Sequence, residues 1–108
     1  MISTHILDTG SGSPAAGVPV TLERKQSGGS WSLLKEEATN ADGRISFDIT
    51  REPGAYRLTF GIESYFAARG QKPFFLNVPI AFQIEDTGRK YHVPLLLSSY
   101  GLSTYRGS

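Results

Sequence analysis

The chain has 108 residues, 39% of them apolar, which is enough for one domain with its own core. Lys and Arg number 11 against 10 Asp and Glu, and the resulting net charge of +1 offers no electrostatic grip on nucleic acid or an anionic membrane. The absence of cysteine excludes disulfides, thiol catalysis and cysteine-ligated zinc together, and no apolar run approaches the ~18–20 residues of a membrane span.

Alternation of apolar and polar residues governs most of the chain. Ser3 to Asp8 reads as a first strand, with Ile6 inward and His5 on the opposite face. Gly10 to Pro14 is a loop, and Val18, Val20 and Leu22 carry a second strand to about Lys25. Ser27-Gly28-Gly29-Ser30 turns the chain into a third strand, Trp31 to Thr39, whose charged end suits a solvent-facing edge. Trp31 is expected at the rim of the core. After the Asn40-Ala41-Asp42-Gly43 turn, Arg44 to Ile49 forms a fourth strand, with Ile45, Phe47 and Ile49 on one face and Arg44, Ser46 and Asp48 on the other.

Glu52-Pro53-Gly54 breaks the chain, and Tyr56, Leu58 and Phe60 define a fifth strand. The spacing of Ile62, Tyr65, Phe66 and Arg69 predicts a helix over Ile62 to Arg69, with Gly70 placed to close it. Val78, Ile80, Phe82 and Ile84 make a sixth strand. Tyr91, Val93, Leu95 and Leu97 share one face of a seventh, leaving His92, Pro94 and Leu96 on the other. The Ser98–Gly101 turn leads into a short eighth strand, Leu102 to Arg106. Eight short strands and one brief helix predict an all-β fold, an antiparallel β-sandwich, as a single domain over residues 1–108.

Parity places His5, Arg44 and His92 on outer sheet faces, where by itself it leaves them as three unrelated surface residues. The face of His92, Pro94 and Leu96 is apolar for a solvent face, so an interface is expected there. A second subunit covering it would close a pocket and strengthen the electrostatics inside. Neither histidine has carboxylates at metal-ligand spacing, so no metal is expected. The start lacks a basic segment followed by an apolar run, so no leader and a cytoplasmic location are expected.

Four segments carry a family resemblance: Ser3-Thr4-His5-Ile6-Leu7-Asp8-Thr9, Thr39-Asn40-Ala41-Asp42-Gly43-Arg44, Tyr91-His92-Val93-Pro94-Leu95-Leu96-Leu97-Ser98, and the terminal Ser103-Thr104-Tyr105-Arg106-Gly107-Ser108. From about residue 3 to 108 the chain resembles the transthyretin-related 5-hydroxyisourate hydrolases, and the terminal tetrapeptide is the most specific part. The resemblance implies a transthyretin-like (prealbumin-like) sandwich assembled as a homotetramer, a dimer of dimers, with active sites where the dimers meet. It implies hydrolysis of 5-hydroxyisourate to 2-oxo-4-hydroxy-4-carboxy-5-ureidoimidazoline in urate degradation, with no metal or organic cofactor. Carried over motif by motif, the catalytic set is His5, Arg44, His92 and Ser108, and the substrate contacts are His5, Arg44, Tyr105 and Arg106. Many relatives have histidine where this chain has Lys90, which parity places on the face of His92, at the rim of the implied site.

Ring opening at a carbonyl needs an attacking water, a base for its proton and donors for the developing oxyanion. Imidazole suits the base near neutral pH, and His5 and His92 divide the work in an order the sequence leaves open. Arg44 offers a planar, bidentate, permanently charged donor set for a urate-like ring. Ser108 brings a hydroxyl and the terminal carboxylate, Tyr105 contacts substrate and Arg106 braces the tail. One rival is a transthyretin-type carrier of an apolar ligand, relatives of which lack both histidines and the Tyr-Arg-Gly-Ser end. The other is an accessory β-sandwich module, which the Gly17-Val18-Pro19-Val20-Thr21-Leu22 stretch fits equally well. The back half of the chain argues for the enzyme.

Overall fold

Strand alternation translates directly into burial at the start of the chain. In strand β1, Ile2–Asp8, every second side chain is buried, with Ser3, His5 and Leu7 on the opposite, half-exposed face. The computed structural model describes residues 1–49 and 52–108. Its further elements are β2 (Ser13–Pro14), β3 (Pro19–Lys25), β4 (Trp31–Ala38), β5 (Arg44–Phe47), β6 (Gly54–Phe60), helix α1 (Ile62–Ala67), β7 (Val78–Ile84), β8 (Tyr91–His92), β9 (Leu95–Leu97) and β10 (Leu102–Thr104).

Two sheets face each other. Strands β4, β3, β6 and β7 form one, antiparallel throughout, with β4 and β7 at its edges. In the other, β1 is central: β5 and β2 pair with it antiparallel along one side, β8 and β9 pair with it in parallel along the other, and β10 extends β9. Among the described residues the parallel ladder is the one departure from antiparallel pairing. Ile2, Ile6, Phe47, Leu95 and Leu97 from this sheet meet Val20, Leu22, Leu58, Phe60 and Ile84 from the other in one buried cluster. Full burial of each such side chain is worth roughly 1.5–3 kcal/mol.

The predicted seventh strand is split. Val93 donates its N–H to the Ser3 carbonyl at 2.9 Å, but Pro94 has no N–H with which to continue the ladder. Val93, Pro94 and Leu95 are buried in succession, so alternation fails for a step and resumes at Leu96, 37% exposed. The outer face of this strand is therefore His92 and Leu96, without the proline. Trp31, expected at the core rim, instead lies under the Arg57 guanidinium, 4.4 Å from ring centroid to carbon, on the outer face of its sheet. The helix buries Ile62, Tyr65 and Phe66 as their spacing predicts, but ends at Ala67, with the last turn closed at Gly70 as Gln71 N–H returns to the Phe66 carbonyl at 2.9 Å. Among the described residues no helix is long and apolar enough to cross a membrane.

Candidate functional site

Register on β1 brings the sequence-predicted residues together. His5 pairs with Arg44 across the β1–β5 ladder, and Ser3 pairs with Ser46 on one side and His92 on the other. Directly opposed residues hold their Cβ atoms about 5 Å apart, and alternate residues of one face sit about 7 Å apart. Arg44, His5, Ser3 and His92 thus form one continuous patch on the outer face of the six-stranded sheet.

The turn before Arg44 fixes where its guanidinium emerges. Asn40 Oδ1 accepts the N–H groups of Asp42 at 2.9 Å and Arg44 at 3.0 Å, and Gly43 N–H closes the turn onto the Asn40 carbonyl at 2.9 Å. Gly43 takes φ 73°, and a Cβ there would lie 2.5 Å from the Ile6 carbonyl oxygen, so only glycine lets this turn press against β1. The Gly43 carbonyl in turn accepts Ile6 N–H at 2.8 Å. Arg44 therefore begins β5 in register with His5.

The chain's end closes the other side. Gly107 N–H donates to the His92 carbonyl at 2.8 Å, the antiparallel bridge that brings Ser108 over the patch. The result is a groove of about 350 Å³ lined by Ser3, Arg44, Ser46, Lys90, His92 and Ser108, among others. That volume lies at the lower end of the range for small-molecule sites, roughly 300–1,000 Å³. His5 lies beside this groove through its pairing with Arg44. Tyr105 and Arg106 sit elsewhere: they line a separate, mostly apolar pocket of about 160 Å³, with Ile80, Phe82 and Tyr91, that shares only His92 with the groove. Arg106 lies 5.5 Å from the Tyr91 ring centroid, a stacking role that braces the tail. Within one chain, then, His5, Arg44, His92 and Ser108 converge while Tyr105 and Arg106 flank them.

The electrostatics favour neutral imidazole. His92 is held below the ordinary histidine pKa of 6.5, first by burial, then by the positive charge of Arg44 and the nearby His5, with a hydrogen bond to the Ser3 backbone opposing only in part. A neutral imidazole close to a fixed guanidinium can accept a proton while the guanidinium binds an anionic or carbonyl oxygen. Arg44 has no carboxylate partner among the described residues, so its charge is available to a ligand.

Sequence reasoning missed Ser3. Its Oγ lies 2.8 Å from His92 Nδ1. Parity already put Ser3 on the His5 face, but only the parallel pairing of β1 with β8, 89 residues away in the chain, sets it beside His92.

A two-sheet sandwich with a histidine–arginine groove on one outer face and the chain terminus over it defines the class. The chain belongs to the HIUase/Transthyretin family, whose model matches residues 2–107. It is 46% identical to a 5-hydroxyisourate hydrolase of Salmonella dublin, over 100% of this chain and 81% of that one. The solved 5-hydroxyisourate hydrolase of Klebsiella pneumoniae has a TM-score of 0.87 at 39% identity, covering 99% of this chain and 98% of its own. Transthyretin from Sparus aurata has a TM-score of 0.93 at 29% identity, covering 98% and 95%. The backbone agrees at least as well with transthyretin as with the hydrolase, so fold alone does not choose the activity.

Proposed function

We propose that this protein hydrolyses 5-hydroxyisourate, opening its ring to 2-oxo-4-hydroxy-4-carboxy-5-ureidoimidazoline. The observation that carries the reading is the convergence of His92, Arg44 and Ser108 on one groove with His5 alongside, in a chain whose 46% identical relative is a hydrolase of that substrate. The carrier reading is weakened by the same groove, whose unpaired guanidinium and neutral histidine are ill suited to an apolar ligand.

The chemistry runs in two proton transfers. A histidine takes a proton from water as the water oxygen bonds to the ring carbonyl carbon, and Arg44 stabilises the oxyanion that forms. The carbon–nitrogen bond then breaks as a histidine returns a proton to the departing nitrogen. His92, kept neutral by its surroundings, suits the first transfer, and His5 is placed to orient the water or serve the second. Ser108 holds water through its hydroxyl or carboxylate, and Tyr105 and Arg106 reach substrate from a neighbouring subunit's side. The assembly in this reading is a cytoplasmic homotetramer, a dimer of dimers, in which a partner covers the outer sheet face and excludes water.

The test is the ultraviolet decay of 5-hydroxyisourate generated in place from urate and urate oxidase. Catalytic amounts of the protein should speed the decay, and a trace unchanged even at stoichiometric protein sinks the proposal. Light scattering on the same sample should give four times the chain mass; a fully active monomer refutes the assembly.

A further inference from the structure

The His92 ring is gripped on two sides by groups outside the catalytic set. Ser3 Oγ meets Nδ1 at 2.8 Å. On the opposite edge Gly107 packs so closely that a Cβ there would lie 2.5 Å from His92 Cδ2 and 3.2 Å from Cγ. The backbone is tied as well, by Val93 N–H to the Ser3 carbonyl at 2.9 Å and Gly107 N–H to the His92 carbonyl at 2.8 Å. Among the described residues, Nε2 has no hydrogen-bond partner.

We propose that Ser3 and Gly107 are positioning residues for His92: Ser3 accepts the Nδ1 proton, Gly107 seats the ring edge, and Nε2 is left as the working nitrogen facing the groove. This deepens, and rests on, the hydrolase reading. The physical argument concerns tautomers. A neutral imidazole carries one proton, and the partner of one nitrogen decides which. If Nδ1 keeps the proton and donates a hydrogen bond to Ser3 Oγ, the Nε2 lone pair is free to take a proton from water. When that proton arrives, both nitrogens carry hydrogen and Nδ1–H still needs an acceptor. Ser3 Oγ accepts in both states without rotating, so nothing in the support has to rearrange during the transfer. Were Ser3 to donate instead, Nε2 would hold the proton and could not act as base.

The experiment pairs kinetics with nitrogen-15 NMR of the histidine rings. In the wild-type protein above pH 6.5, the protonated nitrogen of His92 should be Nδ1. Ser3→Ala should shift the population toward the Nε2–H form and lower kcat about 10-fold, a typical effect of losing a partner that orients a functional histidine, with KM within about 2-fold. Ser3→Thr, which keeps the hydroxyl, should restore both. Gly107→Ala should lower kcat with an unchanged His92 tautomer, because it displaces the ring without removing the Ser3 bond. A wild-type proton on Nε2, or a Ser3→Ala protein with unaltered tautomer and kcat, overturns the proposal. The NMR readout does not depend on turnover: an inert wild-type protein with the Nδ1–H form would refute the hydrolase reading while leaving the Ser3 assignment standing.

Discussion

The two sheets each carry an arginine on their outer face, and the two are treated differently. On the four-stranded sheet, Arg57 holds Glu23 by Nε at 2.8 Å and by Nη2 at 2.7 Å, and stacks on Trp31. Both charges of this pair are satisfied by each other, and the pair has nothing left to offer a ligand. On the six-stranded sheet, Arg44 faces a neutral histidine and has no carboxylate partner among the described residues. A satisfied charge cluster is structure; an exposed, unsatisfied one beside a pKa-shifted imidazole is the mark of a binding surface. Sequence composition treats the two arginines alike, and only their partners tell them apart.

That contrast can be broken from the catalytic side first. His92→Asn keeps a polar side chain of similar shape but removes the proton acceptor, and should lower kcat by about 100-fold or more while light scattering is unchanged. Near-normal turnover in that variant would remove His92 from the chemistry. Arg44→Gln should come next, costing about 10–100-fold in kcat/KM, as expected for losing charge-assisted hydrogen bonds of roughly 1.5–3 kcal/mol.

The same variant has a signature in pH. Burial, then Arg44 and His5, hold His92 below 6.5, so the acid limb of the kcat/KM profile should fall below pH 6.5 in the wild-type protein. Removing the Arg44 charge relieves repulsion of the imidazolium, so the limb should move up toward 6.5. The other polar groups around His92, namely His5, Lys90 and Ser108, remain in place in this comparison. Stability follows the same sign: the unfolded chain binds the proton more readily, so the fold loses stability as pH drops from 6.5 toward the lower folded value. A limb that moves down in Arg44→Gln would contradict the placement of that charge.

The smallest effect belongs to the satisfied sheet. The double variant Glu23→Gln with Arg57→Met should leave kcat/KM within about 2-fold and cost only about 1 kcal/mol in denaturant melts, since the pair is partly exposed and screened. A large loss of activity there would show that the four-stranded sheet's outer face also serves the reaction.

Much of this is legible in the sequence. Alternation at Ile2–Asp8, Arg44–Phe47 and Tyr91–His92 follows from the two-residue repeat of a pleated strand, and it turns His5, Arg44 and His92 outward. The helix face of Ile62, Tyr65 and Phe66 and its closure at Gly70 were equally readable. Pro94 was the local failure, because parity counting assumes an unbroken ladder and proline supplies no donor to it.

What the chain's own order of residues determined is which side chains leave the core, since that depends only on local geometry. What tertiary structure alone decided is which of them meet. His5 and Arg44 lie 39 positions apart, and Ser3 and His92 lie 89 apart. Their contact depends on strand partners, including a parallel pairing that no periodicity encodes, because the repeat along one strand carries no information about its neighbour. The same holds for the tail: Gly107 reads as a flexible residue near a terminus until the fold lays it against the His92 ring, where the missing side chain becomes the reason the ring fits.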